Sequence, residues 1–324
     1  MANVGAGDLD RSFIRNIALT GGDLDRLGHR RTDEIWLAAT LADASARHVW
    51  MHRGRVLVID EGVVGVSHLG SVVEVAAESR TVVLLGTDVA GTTYFGHVLP
   101  GEIDSMGDEV TDDVRRWVGL REIGTVISDR DAALVATTLA LANWHEGHLH
   151  CPRCGGPTRA INAGWARQCI ADQSIHFPRT DPSVIMLVRD DQDRALLGRR
   201  EDWPPGWFST LAGFVEAGES AETALVREVA EETSVIVDPE SLVYLGSQPW
   251  PFPASLMLGY HARAADPRVD VDGDEIAEAR WFSREELAAA CADGTVRLPP
   301  SVSISRRLVQ RWYGDDLPTH WDRP

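Results

Sequence analysis

Short apolar runs alternate with turn signals through the first 145 residues, the pattern of a small sheet domain. His48 to Asp60 predicts one or two strands, Thr81 to Thr87 another, and Thr93 to Leu99 a further one. Two helices are predicted to close this half, Asp108 to Leu120 and Arg130 to Trp144. Ser128 and Asp129 precede the second as caps, and Ala and Leu fill it. The His and Asp residues of this half have no catalytic spacing and read as solvated surface.

From Cys151 to about Phe177 the apolar periodicity lapses, and Gly155, Gly156, Pro157 and Gly164 mark tight turns, as in a hinge between larger units. Beyond it, Ser183 to Val188 and Ala195 to Arg199 read as apolar strands. Pro204 to Gly218 reads as a Gly/Pro-rich connection into a helix, and mixed strands and helices continue to about Tyr313. The expected class is α/β in the broad sense (α+β): a mixed sheet domain over 1–145, a Cys-rich segment over 146–180, a second domain over 181–314 and a tail over 315–324. No internal repeat or low-complexity tract interrupts this order.

The helix after that connection carries the most information. Ser220 is a good N-cap, Glu222 suits the first turn, and neither Gly nor Pro interrupts the run to Thr233. Glu228, Glu231 and Glu232 fall at i, i+3 and i+4, on one face, beside an apolar stripe of Leu225 and Val229. Like charges at these spacings destabilise a helix by a few tenths of a kcal/mol per pair, roughly, so the cluster needs a partner or generous solvation. A divalent cation such as Mg²⁺, which prefers hard oxygen ligands, is one answer, with Arg227 and Glu219 fixing the ligands from behind. A solvated acidic face is the other.

Composition narrows the partners. The 324 residues include 31 Lys and Arg against 49 Asp and Glu, a formal charge of −18, which argues against a reader of DNA sequence. An anionic ligand must therefore meet local cations or metal ions. The uncharged stretch Ala132 to Trp144 is too short to span a bilayer, and the first thirty residues lack an apolar signal core. A soluble cytoplasmic protein without membrane attachment is expected. The four cysteines do not form a disulfide framework for a chain this long.

Gly213, five residues, Glu219, seven residues and then Arg227-Glu228-Val229-Ala230-Glu231-Glu232 closely resemble the signature of the Nudix hydrolases. One position departs: Ser234 stands where that family usually has Gly, just past the helix, where a left-handed turn is favoured. The resemblance implies an α/β/α sandwich over the second domain. It also implies a catalytic set of Glu219, Arg227, Glu228, Glu231 and Glu232, with Glu228, Glu231 and Glu232 binding Mg²⁺ or Mn²⁺. The Ala212 carbonyl and an acid from a later loop would complete the site. Asp274, Glu275 and Glu278 are available for that role, and alignment on Trp281 favours Glu275.

Ser247 to Ser255 reads SQPWPFPAS, alternate prolines that make a stiff, extended segment presenting Trp250 and Phe252. A rigid loop packed on the core is one reading. The string is similar to a motif of the NADH pyrophosphatase branch of the Nudix hydrolases. The branch is also recognised in Leu211 to Glu216, Trp144-His145, Cys151-x2-Cys154-Gly155, Phe177-Pro178-Arg179, and Pro299-Pro300 with Arg306-Arg307.

This resemblance implies hydrolysis of NADH or NAD to AMP and nicotinamide mononucleotide, and removal of an NAD cap from the 5′ end of RNA, by a homodimer. It places Gln248, Pro249, Trp250, Pro251, Phe252, Pro253, Ala254, Ser255 and Ser305 against substrate. Phe177 and Phe214 would stack on a base; alternatively they are core residues. An ADP-ribose or broad nucleoside-diphosphate hydrolase, and a nucleotide-sensing regulator, are the rival readings.

Cys151-x2-Cys154 with Cys169 looks like three quarters of a zinc ribbon, but Asp172 stands where the branch supplies a fourth Cys. Three outcomes stay open: zinc on Cys151, Cys154, Cys169 and Asp172, zinc completed by His150 or His176, or a fold without metal. Cys291, in a predicted helix, reads as a buried apolar thiol.

Overall fold

The computed structural model describes residues 12–15, 17–21, 23–59, 63–64, 81–99, 115–271, 273, 275–314 and 316–322. The chain forms two compact units, one of Ala18–Thr180 with Pro249–Ala254, the other of Met1–Ile17, Asp181–Gln248 and Ser255–Pro324. Among the described residues no helix is long and apolar enough to cross a membrane.

In the first unit, α1 (Glu34–Leu41) precedes the strands β1 (Arg47–His52), β2 (Arg55–Ile59), β3 (Val63–Val64), β4 (Thr81–Thr87), β5 (Thr93–Val98) and β6 (Arg115–Gly119). They form one sheet in the order β3-β2-β1-β5-β4, with β6 on β2. β1 and β5 run parallel, and the remaining pairs are antiparallel. Two helices follow, α2 (Leu120–Ile123) and α3 (Asp129–Gly147), the latter capped by Ser128 Oγ accepting from the Asp131 N–H at 3.1 Å. α3 lies against β1, β4 and β5. Gly96 permits the approach, because a Cβ there would crowd the Thr138 side chain at 2.8 Å.

Two expectations are corrected here. The helix expected over Asp108 to Leu120 falls partly outside the described residues. Its described part, Arg115–Gly119, is a strand paired with β2 from Arg55↔Gly119 to Ile59↔Arg115, so tertiary pairing overrides local pattern. Nor are all the His and Asp residues of this half solvated surface: Asp23, Asp25, His29, Asp43 and Asp129 are exposed, but His48, His52, Asp88, His97 and His145 are buried. His48 Nδ1 lies 2.9 Å from His97 Nε2, and Asp88 accepts from Tyr94 Oη, Arg130 and the N–H groups of Ala90 and Thr92.

The Cys-rich segment folds as a small sheet, β7 (Thr158–Ile161), β8 (Ala166–Cys169) and β9 (Ile175–His176), all antiparallel.

The second unit is built on β10 (Asp181–Arg189), β11 (Ala195–Arg200), β12 (Leu211–Phe214), β13 (Ile236–Val237), β14 (Val243–Trp250), β15 (Ser255–Asp266) and β16 (Ile276–Phe282). The order is β13-β15-β10-β11-β16, with β12 on β10 and β14 on β15. β12 lies inside the stretch expected to be connection only, paired with β10 from Ser183↔Phe214 to Met186↔Leu211. Its helices are α4 (Ala221–Thr233), α5 (Arg284–Ala292) and α6 (Ile304–Tyr313).

Alternation along β10 dictates the layers. Ile185 and Leu187 enter one core with Leu308, Val309, Trp312 and Leu287, while Val184, Met186 and Val188 enter another with Ala224, Leu225 and Val229. Successive side chains point to opposite faces, so a continuous apolar run needs cover on both, here α4 on one side and α6 on the other. This is the α/β/α sandwich expected. Cys291 is fully buried in the first of these cores, as expected, and Leu317 and Trp321 carry the C-terminal segment into it as well.

Candidate active site

α4 presents its carboxylates where the sequence puts them, and Arg227 organises them. Ser220 Oγ caps the helix by accepting from the Thr223 N–H at 3.2 Å. Arg227 donates to Glu219 through Nε (2.9 Å) and Nη2 (2.8 Å), to Glu228 Oε1 and Glu231 Oε2 through Nη1 (both 2.9 Å), and to the Phe214 carbonyl through Nη2 (3.0 Å). The planar fork suits this multiple grip, which a lysine could not reproduce. The Arg227 bonds, with a further one from the Glu216 N–H, hold the Glu219 carboxyl down at about 2. Burial pushes Glu228 upward; Arg227 opposes this, and neighbouring Glu231 and Glu275 reinforce it.

Gly213 is fixed by this geometry, because a Cβ there would overlap the Glu228 carboxylate. Glu232 is buried and Glu231 exposed, so the three carboxylates span from interior to surface. The helix ends at Ser234 in the left-handed conformation (φ 59°), the turn Gly usually supplies. Ser234 Oγ donates to the Asp270 carbonyl at 2.9 Å, a bond that offsets part of the backbone cost.

Ala212 lies on β12, beside Gly213. Glu275 is paired with Arg200 at 2.9 Å and is close enough to raise Glu228. Glu278 faces Arg199 at 3.7 Å and Arg280 at 3.8 Å instead. Asp274 lies outside the described residues. Nothing in the sequence singled out Arg200, since its partner is far away along the chain.

The SQPWPFPAS segment is extended only as far as Trp250, the end of β14, and then turns sharply, with the Phe252 N–H donating to the Trp250 carbonyl at 2.7 Å. This corrects the expectation of a stiff, extended segment throughout. Trp250 and Phe252 meet edge to face at 4.9 Å. Arg121 lies over both rings, 4.2 Å from the Phe252 centroid and 5.6 Å from that of Trp250. Asn143 Nδ2 donates to the carbonyls of Pro251 (3.0 Å) and Pro253 (3.1 Å). Arg121 and Asn143 carried no sequence signal. Pro249 and Pro253 are exposed, Ala254 and Ser255 are half-buried, and Pro251 is buried.

Gln248 and Ser305 are interior. Gln248 donates to the Val302 carbonyl (2.7 Å) and accepts from the Ile304 N–H (2.8 Å), while Ser305 Oγ accepts from Thr210 Oγ1 (2.8 Å) and the Thr210 N–H (3.2 Å). Phe177 and Phe214 are 68 % and 58 % exposed, so neither is a core residue.

Cys151, Cys154, Cys169 and Asp172 bring one ligand atom each to within 4.8 Å of one another. The Arg153 N–H donates to Cys151 Sγ and the Asp172 N–H to Cys169 Sγ, both at 3.4 Å, as suits thiolates held for a metal. Burial works to raise the Cys151 thiol, but hydrogen bonds from Ser174 and the Arg153 and Cys154 N–H groups bring it down to about 6. Of the alternative fourth ligands, His176 Nε2 stands 3.4 Å from Cys151 Sγ, whereas His150 is exposed and bridges to Pro157.

Comparison with known proteins finds three family models along the chain. The NADH pyrophosphatase-like rudimentary NUDIX domain matches residues 45–144, the NADH pyrophosphatase zinc ribbon domain 147–177, and the NUDIX domain 179–301. The NAD-capped RNA hydrolase NudC of Mycobacterium tuberculosis is 38% identical over 323 residues, 96% of this chain and 99% of that protein. The human NAD-capped RNA hydrolase NUDT12 is 38% identical over 198 residues, 57% of this chain and 42% of its own. The structure of a NUDIX hydrolase from Nitrosomonas europaea covers 51% of this chain and 93% of its own, at 20% identity and a TM-score of 0.38.

Proposed function

Because this chain belongs to the Nudix hydrolases, in their NADH pyrophosphatase branch, we propose that it hydrolyses the pyrophosphate bond of NADH or NAD to AMP and nicotinamide mononucleotide. We extend the proposal to removal of the NAD cap from RNA, the activity named for its mycobacterial relative. The observation that carries it is the grip of Arg227 on Glu219, Glu228 and Glu231 against Gly213.

The donors fit a hard divalent cation. They are carboxylate oxygens, and Glu228 is pushed upward by burial and by its acidic neighbours, a cost that a cation relieves. Glu228, Glu231, Glu232 and Glu275 with the Ala212 carbonyl would hold Mg²⁺ or Mn²⁺. A metal ion there would neutralise the diphosphate and lower the pKa of an attacking water. Arg227 and Glu219 orient the carboxylates. A glutamate of the helix takes the water's proton. The exposed faces of Phe177 and Phe214 offer stacking surfaces for adenine or nicotinamide, and Trp250 and Phe252 read the dinucleotide. Gln248 and Ser305, spent on internal bonds, position the segments that carry these groups.

For the zinc ribbon we favour Cys151, Cys154, Cys169 and Asp172 as structural zinc ligands, since Zn²⁺ accepts carboxylate oxygen beside thiolates. We place the protein in the cytoplasm, the reducing setting in which cysteine thiolates stay available to hold zinc. The family resemblance supports a homodimer, which sedimentation would check.

The test is product analysis with Mg²⁺ or Mn²⁺ across NADH, NAD, NAD-capped RNA and ADP-ribose. AMP and nicotinamide mononucleotide in equal amounts from NADH or NAD are expected. Preference for ADP-ribose would favour the broad hydrolase, and no turnover of any of them a nucleotide-sensing regulator.

A further inference from the structure

Arg167, on β8, is only 6 % exposed, and its hydrogen-bond partners are all neutral. Nε donates to Thr158 Oγ1 at 2.7 Å, Nη2 to the Thr158 carbonyl at 2.8 Å, and Nη1 to His145 Nδ1 at 2.9 Å. A guanidinium only donates and stays charged, so His145 Nδ1 must be the acceptor. His145 is then the neutral tautomer, with its Nε2–H donating to the Gly164 carbonyl at 2.8 Å. A full positive charge is thus buried with no carboxylate paired to it among the described residues, an arrangement strongly unfavourable unless an anion answers it. Three of its five N–H groups are spent on these bonds, which leaves two for a ligand.

Beside Arg167 lies a cavity of about 270 Å³, lined by the apolar Met51, Leu99 and Ala142 and by the polar Thr81, Asn143 and His145. Arg53 and Glu146 also line it, and both are exposed, so they belong to its solvent side. A lining part apolar and part polar, with one buried cation, fits an amphipathic anion. The volume is just under the range of roughly 300–1,000 Å³ usual for drug-sized ligands, too small to bury a dinucleotide.

We propose that this cavity binds a small organic anion, one ring or short aliphatic body bearing a carboxylate or phosphate, with the acid group seated on Arg167. The site is remote in sequence from the carboxylate helix, and the proposal reads binding, so it stands or falls apart from the reaction proposed above.

Calorimetry on the full chain with benzoate, phenyl phosphate, inorganic phosphate and benzyl alcohol tests it. One of the two aromatic acids should bind one to one, at least about tenfold tighter than benzyl alcohol or inorganic phosphate. Whichever acid binds identifies the group that Arg167 takes. Ala142→Leu, which fills the cavity and leaves the Arg167 bonds in place, should weaken that binding by about tenfold or more without changing the melting temperature or hydrolysis of NADH. Arg167→Gln should erase the preference for acid over alcohol; if that variant does not fold, Ala142→Leu decides. Absence of saturable binding by both acids, equal binding of benzyl alcohol, or unchanged binding in Ala142→Leu would each overturn the proposal.

Discussion

Arg227 holds Glu219, eight positions earlier, through two parallel bonds, Nε to Oε1 at 2.9 Å and Nη2 to Oε2 at 2.8 Å. One end of the arginine is thereby anchored while Nη1 reaches Glu228 and Glu231. Loss of the anchor should loosen the carboxylates without removing them. Glu219→Gln is expected to lower kcat and apparent Mg²⁺ affinity by about 10–100-fold, the range for partners that orient metal ligands, with KM for NADH little changed. A change confined to KM would contradict this role.

The second prediction concerns substrate choice. Trp250 and Phe252 form an edge-to-face pair under Arg121, clamped from α3 by Asn143. Replacing both rings with Ala should raise KM for NADH by the equivalent of roughly 1–3 kcal/mol, with kcat little altered and ADP-ribose suffering less. Arg121→Ala should move KM in the same direction by a smaller factor. Equal losses for NADH and ADP-ribose at unchanged thermal stability would remove the loop from recognition.

Buried histidines make stability depend on pH. Burial pushes His97 down to about 3, and His145 and His261 to about 4. In the unfolded chain each titrates near 6.5, so between that value and the folded ones the unfolded state binds more protons. Stability is therefore full above about pH 6.5 and declines as pH falls toward 4, by up to about 1.4 kcal/mol per pH unit for each ring. Urea midpoints at pH 7.5, 6 and 5 should fall in that order. A flat series would show that these rings are not held neutral.

The helix of carboxylates was legible because its signals are local: a serine cap, a 3–4 spacing, and a left-handed exit that Ser234 adopts in place of Gly. The clamp on the Trp250–Phe252 turn was not, since Arg121 and Asn143 lie more than a hundred positions from it. β6 was misread as helix for the same reason, because only its pairing with β2 makes it a strand. The buried histidines were misread because nothing in their local spacing shows that β1 is covered on both of its faces from His48 to His52.

The cysteine cluster yields a test that does not pass through activity. Purified protein should carry about one zinc per chain by elemental analysis, and Cys169→Ala should lose it together with thermal stability, since metal binding adds directly to folding free energy. Asp172→Ala should keep the metal less tightly and lose it to a weaker chelator than wild type does. Equal retention by Asp172→Ala and wild type, with loss in His176→Ala, would make His176 the fourth ligand.

The most direct measurement of the central claim is turnover of NADH to AMP and nicotinamide mononucleotide, titrated with Mg²⁺, in wild type and in Glu231→Gln and Glu232→Gln. Both substitutions leave α4 its length and cap, so folding should persist. Each is expected to cost about 10²–10⁴ in rate, the scale of losing a general base, and to shift the Mg²⁺ dependence to higher concentration. Near-normal rates in both variants under limiting Mg²⁺ would contradict the assignment of this helix as the metal-dependent centre.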